Sequence, residues 1–429
     1  MEQPRAKILV MTVAETVQPS SPPSSSSSNC TAIDSRIWRN LPQPLLDRIL
    51  MFLPPPAFFR ARCVCRRWYA FLYSNAFLKL HCRLAPRRDW LIFFDHNSPK
   101  NNNVYSTAAI THSQRQPPLG LLLDTVNDVW YRISFEDVMP LGFSPEASNG
   151  GLLCWVSNEA GPKSAILCNP LSKSISQLPA VTKPRLFPSV GFTVKNNAFN
   201  IIIAGDDLIS QFAVKNLTTE GFLADGTTGF YSPWTITSQL PRLCNMESGR
   251  MVFKDETFYS MSHTPFSVLA YDTVTTEWSK IQAPMRRFLR SPSIVGCNEK
   301  VLLVAMVEKS KLNVPRSVRV WELQCCRTTW VEVERMPQET YNEFARVENG
   351  RGFECFGQGD TMGITVHGSD LVLLHDLASK IWKWAPPCLF LHGRTGCGLR
   401  GFGFEPRLCT PAIELLHSSS LFFQAFPTQ

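Results

Sequence analysis

The run Leu41-Pro42-Gln43-Pro44-Leu45-Leu46-Asp47-Arg48-Ile49-Leu50-Met51-Phe52-Leu53-Pro54-Pro55-Pro56 is followed closely by Cys63-Val64-Cys65-Arg66-Arg67-Trp68-Tyr69. Leu45, Leu46, Ile49, Leu50 and Leu53 recur at helical spacing, and Gln43, Asp47 and Arg48 take the polar side, which predicts one amphipathic helix. The three prolines end it, because proline has no amide donor and restricts the residue before it. A second helical run is expected beyond them, with Phe58, Ala61, Val64, Cys65, Trp68, Phe71 and Leu72 on one side. Arg60, Arg62, Arg66 and Arg67 fall mostly on the other. Helices this short make too small a core to stand alone, so their apolar faces require another surface.

The remainder of the chain carries a repeat. A polar residue closes an apolar run and a large residue follows six positions later: Asp124/Trp130, Asn169/Ile175, Asn216/Phe222, Asp272/Trp278 and Asp376/Trp382. Glu322/Trp330 repeats the pattern with two extra residues. The first members lie 45, 47, 56, 50 and 54 positions apart, which is propeller spacing. Each pair reads as a hairpin in which the polar residue starts the turn and the large residue anchors the returning strand. Proline-marked exits follow at Leu178-Pro179, Ala283-Pro284, Met336-Pro337 and Ala385-Pro386-Pro387. Further short strands such as Leu152 to Val156, Ile201 to Ala204 and Val301 to Ala305 bring each unit to about four. Six blades are expected. Seven is the alternative count, because Phe402 to Leu416 could supply more strands, and Trp90 to Asp95 is the candidate seam for ring closure.

Between Lys280 and Arg319 nine basic residues face two acidic ones, a local plus seven in a chain of net plus eight. Arg286, Arg287 and Arg290 lie in a loop between two blades; Lys309, Lys311 and Arg316 lie in a loop inside the next blade. Both loops are expected to rim the same side and to attract phosphate or an acidic protein surface. The competing reading is a solvated edge, or arginines paired within the fold. Asp206 and Asp207 form a second candidate partner site, against the plainer reading of a strand-end turn whose carboxylates cap backbone amides.

Composition excludes other classes. The 429 residues are 44% hydrophobic and 18% charged, as expected of globular material, and no run of about 18 apolar residues could span a membrane. Pro19 to Ser28 is rich in Ser and Pro and reads as a disordered leader. Fourteen scattered cysteines, without Cys-x-x-Cys spacing or a clear secretory signal, fit a reduced protein without structural zinc. Cys154 and Cys168 read as small core residues. A propeller oxidase would need convergent His and Tyr ligands, whereas the eight histidines here are scattered. No nucleophilic elbow, P-loop or dinucleotide fingerprint is present, so neither catalysis nor a cofactor is expected.

The Leu41-Pro42 start and the Val64-Cys65-Arg66-Arg67-Trp68 run resemble an F-box, and the repeats resemble degenerate kelch units, with Gly150-Gly151 as the one double glycine. Asp34-Ser35-Arg36-Ile37-Trp38, Leu53 to Arg60, Ala204 to Ser210, Pro284 to Ser293, Val307 to Leu312 and Gly352-Phe353-Glu354-Cys355 narrow the resemblance to the plant F-box/kelch regulators of flower development. Pro44 departs from it, since many F-boxes carry an acidic residue there. The resemblance implies a leader at 1–33, an all-α F-box at 34–82, an all-β kelch-type propeller at 88–417 and a tail at 418–429. It also implies a Skp-type adaptor held by Leu41, Pro42, Leu45, Leu46, Ile49, Leu50, Val64, Cys65 and Trp68, and through that adaptor a cullin. A LEAFY-type transcription factor, DNA in a ternary complex and a nuclear location follow from it too, with the cytoplasm as a further location. The alternative is a ligase receptor that targets an acidic protein without touching DNA.

Overall fold

A computed structural model describes residues 12–13, 41–95 and 119–410, apart from 137, 160, 186–187, 196–197, 207–216, 226–229, 242–243, 247–248, 264, 309–315 and 392–397. Four helices, Gln43–Met51, Pro55–Ala61, Arg66–Leu72 and Asn75–Leu84, precede a ring of antiparallel sheets. The helical run expected after the prolines is divided into three helices. Arg62 to Cys65 form a tight turn in which the Cys65 Sγ accepts the Trp68 amide at 3.4 Å, and Ser74 Oγ caps the last helix by accepting the Phe77 amide at 3.2 Å.

The ring has six four-stranded blades. The first is completed by the C-terminal strand Leu399–Phe404, which pairs with Trp90–Asp95 from Trp90 opposite Phe404 to Asp95 opposite Leu399. The expected seam is thus the real one, and Phe402 belongs to blade one rather than to a seventh blade. The innermost strands Leu399–Phe404, Phe143–Asn149, Ser189–Lys195, Val252–Lys254, Leu289–Cys297 and Phe353–Gln358 touch in succession and close the ring. Of the leader, Thr12–Val13 are described as a short strand against Tyr131 and Arg132 at the rim of blade one; its other residues and the tail lie outside the described residues.

The repeat has a single physical cause. Oδ1 of Asp124, Asn169, Asp272 and Asp376 accepts the amides two and three residues on, at 2.9–3.2 Å. Asp128, Lys173, Thr276 and Lys380 then take positive φ, and the large residue opens the fourth strand. In blade five this slot belongs to Gln324, whose amide donates to the Thr329 carbonyl at 3.0 Å, as that of Asp272 does to Glu277. The spacing to Trp330 is then six, and Glu322 instead pairs with Lys300 at 3.0 Å. Asn216/Phe222 does not mark this hairpin. Phe222 lies mid-strand in Leu217–Asp225, and the fourth strand of blade three is Thr235–Gln239, preceded by buried Trp234. Alternation of apolar residues inside one long strand imitated the signal there.

Several tryptophans bolt neighbouring blades. Trp130 Nε1 donates to the Pro386 carbonyl at 2.8 Å, Trp234 Nε1 to the Pro179 carbonyl at 2.7 Å, and Trp278 Nε1 to Thr219 Oγ1 at 2.8 Å. A buried ion pair reinforces blade three: Arg185 reaches Glu220 at 3.1 Å and also donates to the Gly205 and Thr218 carbonyls. Near the axis Arg400 grips Glu146 through two hydrogen bonds, and Arg250 meets Glu354 at 3.1 Å while lying over the Phe402 ring. Burial alone would raise the Glu354 carboxyl, but the hydrogen bond from His367 and the Arg250 and Arg400 charges outweigh it and hold it far below the usual carboxylate range. Cys154 and Cys168 are buried as expected, and burial pushes the Cys168 thiol up to about 12.

The helical module shares a core with the propeller. Leu50, Met51, Phe58, Ala61, Leu72 and Phe77 pack in one cluster with Trp90, Tyr131, Leu153, Leu171, Phe404 and Leu408. Cys82 Sγ donates to the Cys409 carbonyl at 2.9 Å, and Arg87 approaches Glu405 at 3.6 Å.

Candidate adaptor and partner surfaces

An amphipathic helix on a globular domain buries one stripe; Gln43–Met51 has two. Leu50, Met51 and Leu53 turn toward the shared core, whereas Leu45, Ile49 and Phe52, spaced four and three apart, form an outer stripe, Leu45 being 51% exposed. Val64, at 63% exposure, and Cys65 project from the turn between helices, and Pro42 is exposed as well. Such a surface is poor against water and suited to a protein partner. Of the residues assigned to the adaptor, Pro42, Leu45, Ile49, Val64 and Cys65 are thus exposed, and Leu41, Leu46 and Trp68 are half-buried. Leu50 is 2% exposed and belongs to the shared core, a correction to its assignment as a contact. Sequence reading missed Phe52, Tyr69, Tyr73, Leu80 and Leu84, all exposed. The four-residue spacing of Tyr69/Tyr73 and Leu80/Leu84 was the available signal.

The antiparallel blades fix which loops share a face. Connections leaving each fourth strand, and those joining second to third strands, emerge on one face; the tight turns emerge on the other. The helical module packs on the turn face, against Leu171 in the last turn of blade two and Phe404 at the end of the inner strand of blade one. Pro284 to Phe288 leaves blade four, and Glu308 and Arg316 stand at the facing ends of Lys300–Val307 and Ser317–Leu323, so Arg286, Arg287 and Arg316 belong to the loop face. That face is opposite the helices.

The basic cluster is less free than its sequence suggests. Arg290 is held by Glu348 at 2.8 Å with Glu308 at 3.9 Å, Arg319 by Glu332 at 3.1 Å and Lys300 by Glu322. Arg290 is therefore a strut within the fold, a correction to its assignment as a partner contact. Arg286, Arg287 and Arg316 are exposed and form no ion pair among the described residues. Lys309, Lys311 and Asp207 lie outside the described residues, and Asp206 ends the strand Ala198–Asp206, opposite Leu217. No group of His, Cys, Asp or Glu among the described residues could hold a metal ion, and no described helix is long and apolar enough to cross a membrane.

Two family models match: an F-box domain over residues 38–80 and a KIB1-4 beta-propeller over 122–341. The protein Unusual Floral Organs of Arabidopsis thaliana is 48% identical over 406 residues, covering 92% of this chain and 91% of its own. The chain is a plant F-box protein of this propeller family. The protein Aberrant Panicle Organization 1 of Oryza sativa subsp. indica is 41% identical over 93% of this chain and 95% of its own, and F-box only protein 6 of Arabidopsis thaliana is 26% identical over 87% and 75%. An F-box implies a Skp-type adaptor and, through it, a cullin. Members of the family are receptor subunits rather than catalysts, and no relative named here is an enzyme.

Proposed function

We propose that this chain is the substrate-receptor subunit of a Skp-cullin-F-box ubiquitin ligase that also serves as a nuclear transcriptional cofactor in floral meristems. In this reading the outer stripe of Leu45, Ile49 and Phe52 with Val64 holds the adaptor. The loop face holds a LEAFY-type factor, and Arg286, Arg287 and neighbouring basic residues lie against DNA phosphate. The observation that carries the reading is the opposition of the two surfaces: an apolar stripe on one side and, on the other, exposed arginines with no ion pair among the described residues, so both partners can be held at once. The names of the floral and panicle relatives supply the developmental setting.

A gel shift with labelled promoter DNA, a LEAFY-type factor and the full chain tests the cofactor arm. A slower ternary band is expected, weakened in Arg286→Glu/Arg287→Glu, with a shallower dependence on salt. No ternary band, where the factor alone binds its site, would leave the receptor role standing by itself. That narrower reading, a receptor for an acidic protein without DNA contact, is favoured by the ion pairs that absorb the charges of Arg290, Arg319 and Lys300.

A further inference from the structure

The helix Gln338–Glu348 crosses the loop face between blades five and six, and a pocket of about 250 Å³ lies between it and blade five. Its apolar lining is Met306, the Tyr341 ring and Ala345; Arg316, Arg290, Glu308 and Glu348 supply the charge. These charges are unequally committed. Glu348 is saturated, accepting from Arg290 at 2.8 Å, from the Gly352 amide at 2.7 Å and from the Gly350 amide at 3.1 Å. Arg290 is spent on Glu348 and Glu308. Arg316 is not spent: it is exposed, forms no ion pair among the described residues, and lines the pocket together with Tyr341, whose hydroxyl donates no hydrogen bond to a described residue.

We propose that this pocket receives a single carboxylate side chain, Glu or Asp, of the protein docked on the loop face, with Arg316 as its charge partner and the Tyr341 hydroxyl as a second donor. The proposal deepens the function above and rests on it. The volume suits one side chain, and Met306 and Ala345 suit its methylene stem. A DNA phosphate is a poorer occupant: it carries the same single negative charge as a carboxylate but is flanked by a sugar on each side, whereas a Glu or Asp side chain enters end-on, and Arg286 and Arg287 stand outside the pocket lining. The pocket therefore divides the loop face into a protein-reading site and a phosphate-attracting rim.

The test compares the parent chain, Arg316→Glu, Arg316→Lys and Tyr341→Phe in binding to the DNA-bound factor of the proposed function. Arg316→Glu is expected to weaken binding at least about tenfold, as when one partner of a close charge pair is inverted, with smaller losses for the other two. A Glu→Lys or Asp→Lys change in the factor is expected to restore Arg316→Glu. Arg316 is exposed and forms no ion pair among the described residues, so an unchanged melting temperature checks that the variants fold. Equal binding by Arg316→Glu, Tyr341→Phe and the parent overturns the pocket assignment while leaving the function intact. A loss that no charge reversal in the factor restores overturns it in favour of phosphate contact. Failure of the parent to bind the factor removes both the function and the pocket's occupant.

Discussion

In blade five Leu303, Val304 and Ala305 are all buried, whereas in the first helix of the N-terminal module Leu50 is buried and Leu45, five residues earlier, is half in water. Each blade buries its middle strands against its two neighbours, so the interior of the ring satisfies itself, and exposed apolar residues such as Val126, Val274 and Ile381 sit singly in turns and at the outer strands. The helical module has apolar surface on two sides and only one side is covered, by Trp90, Tyr131, Phe404 and Leu408. Binding surface here is the part of a hydrophobic pattern for which the fold provides no place. The loop-face arginines repeat the lesson in charge: those with a Glu in reach became struts, and those without became surface.

The sharpest way to break the comparison is to remove residues 41–78. If the module were an independent bead, the propeller would remain soluble with an unchanged melt. Because the core is shared, the deletion is expected to expose Trp90 and Tyr131 and to yield aggregated protein, read by light scattering. Phe58→Ala, which opens a cavity in that core, is expected to cost about 3–5 kcal/mol in chemical denaturation, with helices and propeller unfolding in one transition. Leu45→Ala/Ile49→Ala sharpens the contrast, with about 1–2 kcal/mol of adaptor affinity lost per site in a pull-down titration while stability changes by about 0.5 kcal/mol or less. The smallest effect concerns His81, buried between Phe58 and Phe77, where desolvation holds its pKa below the usual value against a backbone hydrogen bond involving Leu53. The unfolded chain binds the proton more readily, so stability is full above about pH 6.5 and falls as pH drops below it. Melts of the parent and His81→Gln across pH 5 to 8 should differ in slope on the acid side.

The propeller was legible because one local device, an Asx turn before an αL residue and a large anchor, was written into blades one, two, four and six at the same spacing. Blade five hid it behind Gln324, a residue type that does not announce a turn, and blade three replaced it with the longer route from Asp225 to Thr235. At the adaptor surface, periodicity identified the apolar residues of the first helix but could not say which faced outward. Leu50 is separated from Ile49 by one position, and the choice between them is made by a propeller floor distant in sequence. Charge clustering between Lys280 and Arg319 was visible in the same way, yet the pairing of Arg290 with Glu348 spans 58 residues and has no local trace.

The seam of blade one has a consequence for the order of synthesis. Trp90–Asp95 leaves the ribosome long before its inner neighbour Leu399–Phe404, and Phe404 and Leu408 also form part of the floor under the helices. Until those last strands arrive, the adaptor module has no finished seat and the first blade has no axial strand. A nascent or prematurely terminated chain ending before Leu399 therefore lacks the closure of the ring and part of the seat of the helices together, so both are completed in a single late step.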